Sequence, residues 1–247
     1  VSRYGLVVIG AGAAGLEAAR YAARRGVKVA LIERAALGGS FLNVGDVPSK
    51  ALLRTSRLYA DLRILGSFGV REERQVDVDF AAAMQRMNRI RDRIGRGDAA
   101  QAPALEREGL EVIRGAARFV AGDAVKVGRR TLRFDKALIA TGTRPVTPKI
   151  PGLAKAGYLT NETVFALKRV PKRLLVIGGG PLGCELAQAF VRLGAHTTIV
   201  HTEPLFLPNE ERDAAQLISD AFARDGVEIH LDTRAIAVRA EHGKKRV

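Results

Sequence analysis

Gly10-Ala11-Gly12-Ala13-Ala14-Gly15 is the first stretch whose residue types and spacing could do chemistry. Gly10 permits a tight turn, Gly12 bares the backbone to a pyrophosphate, and Gly15 lets a helix pack closely on its strand. A helix starting there turns free N–H groups and its positive dipole end towards phosphates. Glu33, further on, can accept hydrogen bonds from ribose hydroxyls. The expected nucleotide site therefore comprises Gly10, Gly12, Ala13, Ala14, Gly15, Glu33 and the neighbouring Arg34.

The same spacing occurs a second time. Gly178-Gly179-Gly180-Pro181-Leu182-Gly183 repeats the turn, and Pro181 suits an early helical position that needs no N–H. Gly178, Gly194 and His201 each lie 168 positions after Gly10, Gly26 and Glu33. Two such sites in one chain point to two nucleotide cofactors. The second site is expected at Gly178, Gly180, Pro181, Leu182, Gly183 and His201. An acid at the strand end favours NAD, and a nearby arginine favours NADP. His201 is neither, and Glu203 disfavours a 2′-phosphate, so the reading is NAD(P) with a lean to NAD.

A glycine motif is informative only between a strand and a helix. Residues 4–9 read as a buried parallel strand, 16–25 as a helix that Gly26 stops, and 27–32 as the next strand. Around the second turn, 174–177 and 196–200 read as strands and 184–193 as the helix between them. A helix is expected at 51–69, leading away from Lys50. Residues 78–108 read as mainly helical, bridging to strands at 111–140. Further on come a helix near 210–225, strands at 227–231 and 235–238, and a hairpin turn at 241–247, cut before its return strand. The fold class is α/β: two Rossmann-like dinucleotide-binding domains, the second incomplete, over residues 1–150 and 151–247.

Composition narrows the alternatives. The chain has 247 residues, of which 47% are hydrophobic, enough for a substantial core. No apolar run reaches the roughly 18 residues of a membrane span. The net charge of +14 raises a nucleic-acid partner, but the densest run (Arg86, Arg89, Arg91, Arg93 and Arg96) lacks interleaved aromatics for base stacking. It reads as a solvated helix face. Cys184 is the sole cysteine, so no disulfide forms within the chain, and a cytoplasmic setting is expected. No metal site is expected.

Taken in order, the Gly10–Gly15 turn with Glu33, the expected loop GGSFLNVGDVPSK at 38–50, Ala140-Thr141-Gly142, and the Gly178–Gly183 turn with Glu185 resemble the flavin-dependent pyridine nucleotide–disulfide oxidoreductases, on the mercuric reductase and dihydrolipoamide dehydrogenase side. The resemblance covers essentially the whole chain. It implies FAD on the first domain and NAD(P)H on the second, with Gly39, Ser40, Ala140, Thr141 and Gly142 at the FAD. It also implies an ion pair between Lys50 and Glu185 beside flavin N5, where a buried lysine needs such a partner. Relatives are homodimers, and the region that makes their dimer, with its acid–base histidine, has no counterpart here. His196, His201, His230 and His242 do not match that histidine's motif.

The same family pattern places its two redox cysteines where this chain has Phe41 and Asp46. Neither can exchange with a disulfide, and Cys184 reads as a buried, inert thiol. The expectation is an FAD-dependent NAD(P)H oxidoreductase that passes electrons from flavin directly to a small-molecule acceptor such as a quinone or dioxygen. Asp46 is its candidate proton donor or acceptor. Two alternatives stand beside it: a redox-silent nucleotide-binding relative, and a reductase whose cysteines were substituted.

Overall fold

A computed structural model describes residues 3–70, 77–95, 98–241 and 243–247. In chain order its elements are β1 (Arg3–Ile9), α1 (Ala13–Ala23), β2 (Val29–Glu33), α2 (Gly39–Asn43), α3 (Asp46–Arg63), α4 (Phe80–Gly95), α5 (Asp98–Arg107), β3 (Leu110–Arg114), β4 (Ala117–Ala121), β5 (Ala124–Val127) and β6 (Arg130–Ile139). They continue with α6 (Leu153–Ala156), α7 (Asn161–Val164), β7 (Arg173–Ile177), α8 (Pro181–Arg192), β8 (His196–Val200), α9 (Arg212–Asp225), β9 (Glu228–His230), β10 (Arg239–Glu241) and β11 (Lys244–Arg246). A 3-10 turn, Leu65–Phe68, follows α3. Arg96 of the basic run and His242 of the expected hairpin lie outside the described residues.

The contacts divide the chain into two units: Val1–Pro48 with Asn88–Pro145, and Ser49–Met87 with Val146–Val247. In the first, six strands run in the order β3-β2-β1-β6-β5-β4. β1 is flanked by β2 and β6, both parallel to it, with Val8 opposite Leu31 and Leu138. A central parallel strand is covered on both faces, which explains its unbroken apolar run. One face carries Tyr4, Ala30, Ile32, Ile113, Val125 and Phe134; the other carries Val8, Leu16, Ala19, Leu31, Leu105 and Leu110.

The second unit holds a three-stranded parallel sheet, β7-β8-β9. Cys184 and Ala187 of α8, Ile199 of β8, and Ala215 and Phe222 of α9 close its core. This strand–helix–strand unit copies β1-α1-β2, and both helices end as expected, with Gly26 at φ +76° and Gly194 at φ +102°.

Three expectations need correction. The stretch at 38–50 is largely helical, forming α2 and the start of α3, rather than a loop followed by a helix from 51. Pro48 is the third residue of α3, in the first turn, where a missing N–H costs no bond. Residues 235–238 are not a strand; Val238 instead donates its N–H to the Pro151 carbonyl oxygen at 2.8 Å, and strand begins at Arg239. The hairpin near the end does have a return strand, because β11 pairs antiparallel with β10, Glu241 opposite Lys244.

Candidate functional site

At the first glycine turn, three backbone segments crowd together so tightly that only glycine fits. Gly10 has φ +106°, and a Cβ there would overlap the Ala140 carbonyl oxygen; one on Gly15 would overlap the carbonyl oxygen of Gly10. A Cβ on Gly39, itself at φ +59°, would stand 2.6 Å from Gly12 Cα. The ends of β1 and β6 and the start of α2 therefore meet at one spot, which brings Gly10, Gly12, Gly15, Gly39 and Ala140 together. Thr141 follows, its Cα 3.2 Å from that same position on Gly10. Gly12 caps α1 without any side-chain bond, so no capping side chain takes the first N–H groups of the helix, those of Ala13 and Ala14 included, and they could receive an anion. This bare cradle fits a dinucleotide pyrophosphate.

Glu33 closes the turn from the end of β2. Its Oε2 accepts the Ala11 N–H at 2.8 Å and its Oε1 the Ala35 N–H at 2.8 Å. A carboxylate has about four acceptor positions, so two remain for ribose hydroxyls. The loop after it is pinned. Gly38 donates its N–H to the Ala11 carbonyl oxygen at 2.8 Å, and Asn43 Nδ2 reaches the carbonyl oxygens of Leu37 and Gly39, each at 2.9 Å. Leu42 is buried and anchors α2, leaving Ser40 and Phe41 exposed on it. Arg114 holds the Ala35 carbonyl oxygen. Arg34 is exposed beside the site, and Asp46 is exposed at the start of α3.

The second turn repeats this plan in the other unit. Gly178 has φ +104°, and a Cβ on Gly183 would stand 2.5 Å from the Gly178 carbonyl oxygen. Gly180 caps α8, again with no side-chain bond, and Pro181 opens the helix with Leu182 after it. The strand-end bond also recurs: the Gly179 N–H goes to His201 Nδ1 at 3.2 Å, as the Ala11 N–H goes to Glu33. Sequence reading singled out the strand-end residues but passed over the donors Ala11 and Gly179. The 168-residue offset, which puts these two donors in register, was the signal that could have found them.

Lys50 and Glu185, both in the second unit, form an ion pair with Nζ 2.6 Å from Oε1. The lysine side chain is 56% exposed, so the expectation of a buried lysine is corrected. Lys50 lies near the start of α3, with just over half of its side chain open to water. Glu185 is the more enclosed partner, and its Oε2 is buried with no hydrogen-bond partner among the described residues. Cys184, one position earlier, is buried, and its thiol donates to the Gly179 carbonyl oxygen at 3.4 Å. Burial, and then the charge of Glu185, push that thiol up to about 11. It is a core residue and not a nucleophile. Among the described residues no group of three or more His, Cys, Asp or Glu side chains could hold a metal ion, and no helix is long and apolar enough to cross a membrane.

Comparison with known proteins agrees with this geometry. The model for the pyridine nucleotide-disulphide oxidoreductases matches residues 4–247. The chain is 36% identical to mercuric reductase of Acidithiobacillus ferrooxidans over 97% of its own length and 44% of that protein's. It is 35% identical to dihydrolipoyl dehydrogenase of Chlorobaculum parvum over 90% of its own length and 48% of that protein's. Among solved structures, the Cu(II) complex of the HOCl-induced flavoprotein disulfide reductase RclA from Escherichia coli superposes with a TM-score of 0.85 at 28% identity, over 99% of this chain and 53% of that one. The chain thus spans about half the length of the relatives it matches. Proteins of this family use FAD and NAD(P)H. With its doubled glycine turn, its strand-end hydrogen bonds and a family match over nearly every residue, the chain belongs to the pyridine nucleotide-disulphide oxidoreductase family.

Proposed function

We propose that this chain works in an FAD-dependent NAD(P)H oxidoreductase whose electrons leave the flavin for a small-molecule acceptor without passing through a disulfide. Residues 1–150 hold FAD and residues 151–247 hold the nicotinamide nucleotide. The observation that carries this reading is the repeated strand-end bond, Ala11 to Glu33 and Gly179 to His201, since two equivalent cradles call for two dinucleotides. When bound, the two cofactors supply the hydride donor and the ring that accepts it and passes on electrons.

This chain's residues then have separate tasks. Gly10, Gly12, Gly15 and Gly39 keep the first cradle open, while Glu33 holds a ribose and Ser40, Ala140, Thr141 and Gly142 line the approach. Gly178, Gly180, Pro181, Leu182 and Gly183 do the same for the second nucleotide. Glu185 fixes the Lys50 ammonium, whose positive charge favours a reduced, anionic cofactor nearby. Asp46 moves a proton at the position where the family has a cysteine, and Phe41 stands where it has the other. A cytoplasmic setting and a homodimer like that of its relatives accompany the reading.

The test is anaerobic mixing of the flavin-loaded protein with NADH or NADPH, followed by a quinone or air. Bleaching of the visible flavin band and its return with the acceptor, but no turnover of a disulfide, is the expected result. A flavin that binds yet never bleaches would leave a redox-silent nucleotide-binding protein instead.

A further inference from the structure

Glu33 and His201 occupy the same place in two copies of one unit, yet they leave different hydrogen-bonding capacity at the strand end. Each takes one N–H from its glycine turn, at 2.8 Å and 3.2 Å. After doing so, and after taking the Ala35 N–H as well, Glu33 still has acceptor positions and a negative charge. An imidazole ring has one in-plane lone pair when neutral. His201 spends it at Nδ1, so the other nitrogen carries the hydrogen. That nitrogen, Nε2, is buried and has no partner among the described residues. The strand end of the second unit therefore offers no acceptor from this side chain, only an unsatisfied donor.

A ribose diol is normally held here by an acceptor, and the same acceptor's charge rejects a 2′-phosphate. Both effects are missing at His201. A buried donor left unpaired is unfavourable, and a phosphate oxygen is an acceptor of the kind that would satisfy it. The backbone beside it is the segment after β9: the Thr233 N–H reaches the His201 carbonyl oxygen at 2.9 Å, and the Asp232 N–H reaches that of Glu203 at 3.1 Å. Arg234 follows Thr233 in this segment, and the two residues joined by the second bond, Glu203 and Asp232, are both acids. All three charged side chains belong to exposed residues, where salt screens them.

We propose that His201 sets the nucleotide preference of the second site, which takes a dinucleotide phosphorylated on the adenosine ribose 2′-oxygen in preference to the unphosphorylated one. This rests on reading the Gly178–Gly183 turn as a nucleotide site, and it reverses the lean to NAD drawn from Glu203.

Two dead-end fragments test it by calorimetric titration of the full polypeptide, with no turnover required. These are 2′,5′-ADP, which carries the 2′-phosphate, and 5′-AMP, which lacks it. The native protein binds 2′,5′-ADP more tightly. His201→Glu restores the carboxylate seen at Glu33 and weakens 2′,5′-ADP relative to 5′-AMP by at least about tenfold, a change of about 1.4 kcal/mol. His201→Gln can still accept the Gly179 N–H and offer a neutral donor, so it keeps the native order. Tighter binding of 5′-AMP by the native protein, or an unchanged ratio in His201→Glu, overturns the inference and leaves the nucleotide site standing. Failure of the native protein to bind either fragment overturns both.

Discussion

Lys50 Nζ donates to Glu185 Oε1 at 2.6 Å, joining residues 135 positions apart in the chain. The pair is too open to matter much for folding, since exposed ion pairs contribute about 0–1 kcal/mol. Its worth lies in where it holds a charge.

Replacing that charge separates the two roles. Lys50→Met and Glu185→Gln should each shift the melting temperature by only a few degrees, in line with a loss of about 1 kcal/mol or less. Flavin reduction by NAD(P)H should slow by about tenfold or more, equivalent to about 1.4 kcal/mol of barrier. Stopped-flow absorbance beside a thermal melt checks both. Full reduction rates in both variants would remove the pair from the mechanism.

The cradle glycines can be told from merely conformational ones. Gly10→Ala forces a Cβ into the Ala140 carbonyl, and Gly39→Ala drives one to 2.6 Å from Gly12 Cα. Each should cost flavin retention, read as the ratio of visible to protein absorbance after gel filtration. Gly26 also has a positive φ, +76°, but nothing lies within 4 Å of its missing Cβ. Gly26→Ala should cost about 1–2 kcal/mol of stability and leave flavin content unchanged.

Cys184 should be slow to alkylate in the native protein near pH 8 and fast once unfolded. Its thiol is raised from 9.0 to about 11 in the folded chain, first by burial and then by Glu185. The unfolded thiol ionises first, so the contribution of Cys184 is fully present below about pH 9 and is lost as pH rises towards 11. Urea midpoints of the native chain and Cys184→Ala should therefore converge or cross over that window. Parallel curves across it contradict the assignment.

Tyr4, Glu111 and Arg130 form a clamp across the first sheet. The Tyr4 hydroxyl donates to Glu111 Oε2 at 2.6 Å, and Arg130 reaches Glu111 Oε1 at 2.6 Å. The Tyr4 hydrogen bond, then that of Arg130, holds the Glu111 carboxyl below its ordinary 4.5. This stability is present above that value and is lost as pH falls through the lowered one. Tyr4→Phe should cost about 1–3 kcal/mol at neutral pH, because Tyr4 is fully buried and its partner is charged. Glu111→Gln should flatten the acid limb of the stability profile, followed by denaturant titration at each pH.

Much of the site was legible in the residue order because its causes are local. Turns at Gly10 and Gly178 need positive φ, and helices stop at Gly26 and Gly194 because glycine alone enters the left-handed region cheaply. The apolar runs of β1 and β7 announce parallel strands for the same short-range reason. Family resemblance added the pairing of Lys50 with Glu185, which no periodicity could reveal.

Tertiary structure decided the remainder. Whether residues 38–50 coil as a loop or wind into α2 and α3 depended on Leu42 finding a buried seat and Asn43 finding two carbonyls, contacts that no propensity encodes. Residues 235–238 had a strand's composition but found no strand beside them, since Val238 took the Pro151 carbonyl. By itself the sequence determined that two glycine turns recur at one spacing and that Cys184 is the one cysteine within these 247 residues. Only the folded chain decided that Lys50 stays open to water and that His201 spends its one lone pair on Gly179. Exposure and hydrogen-bond partners belong to the packed molecule, and they depend on which distant segments the fold brings together.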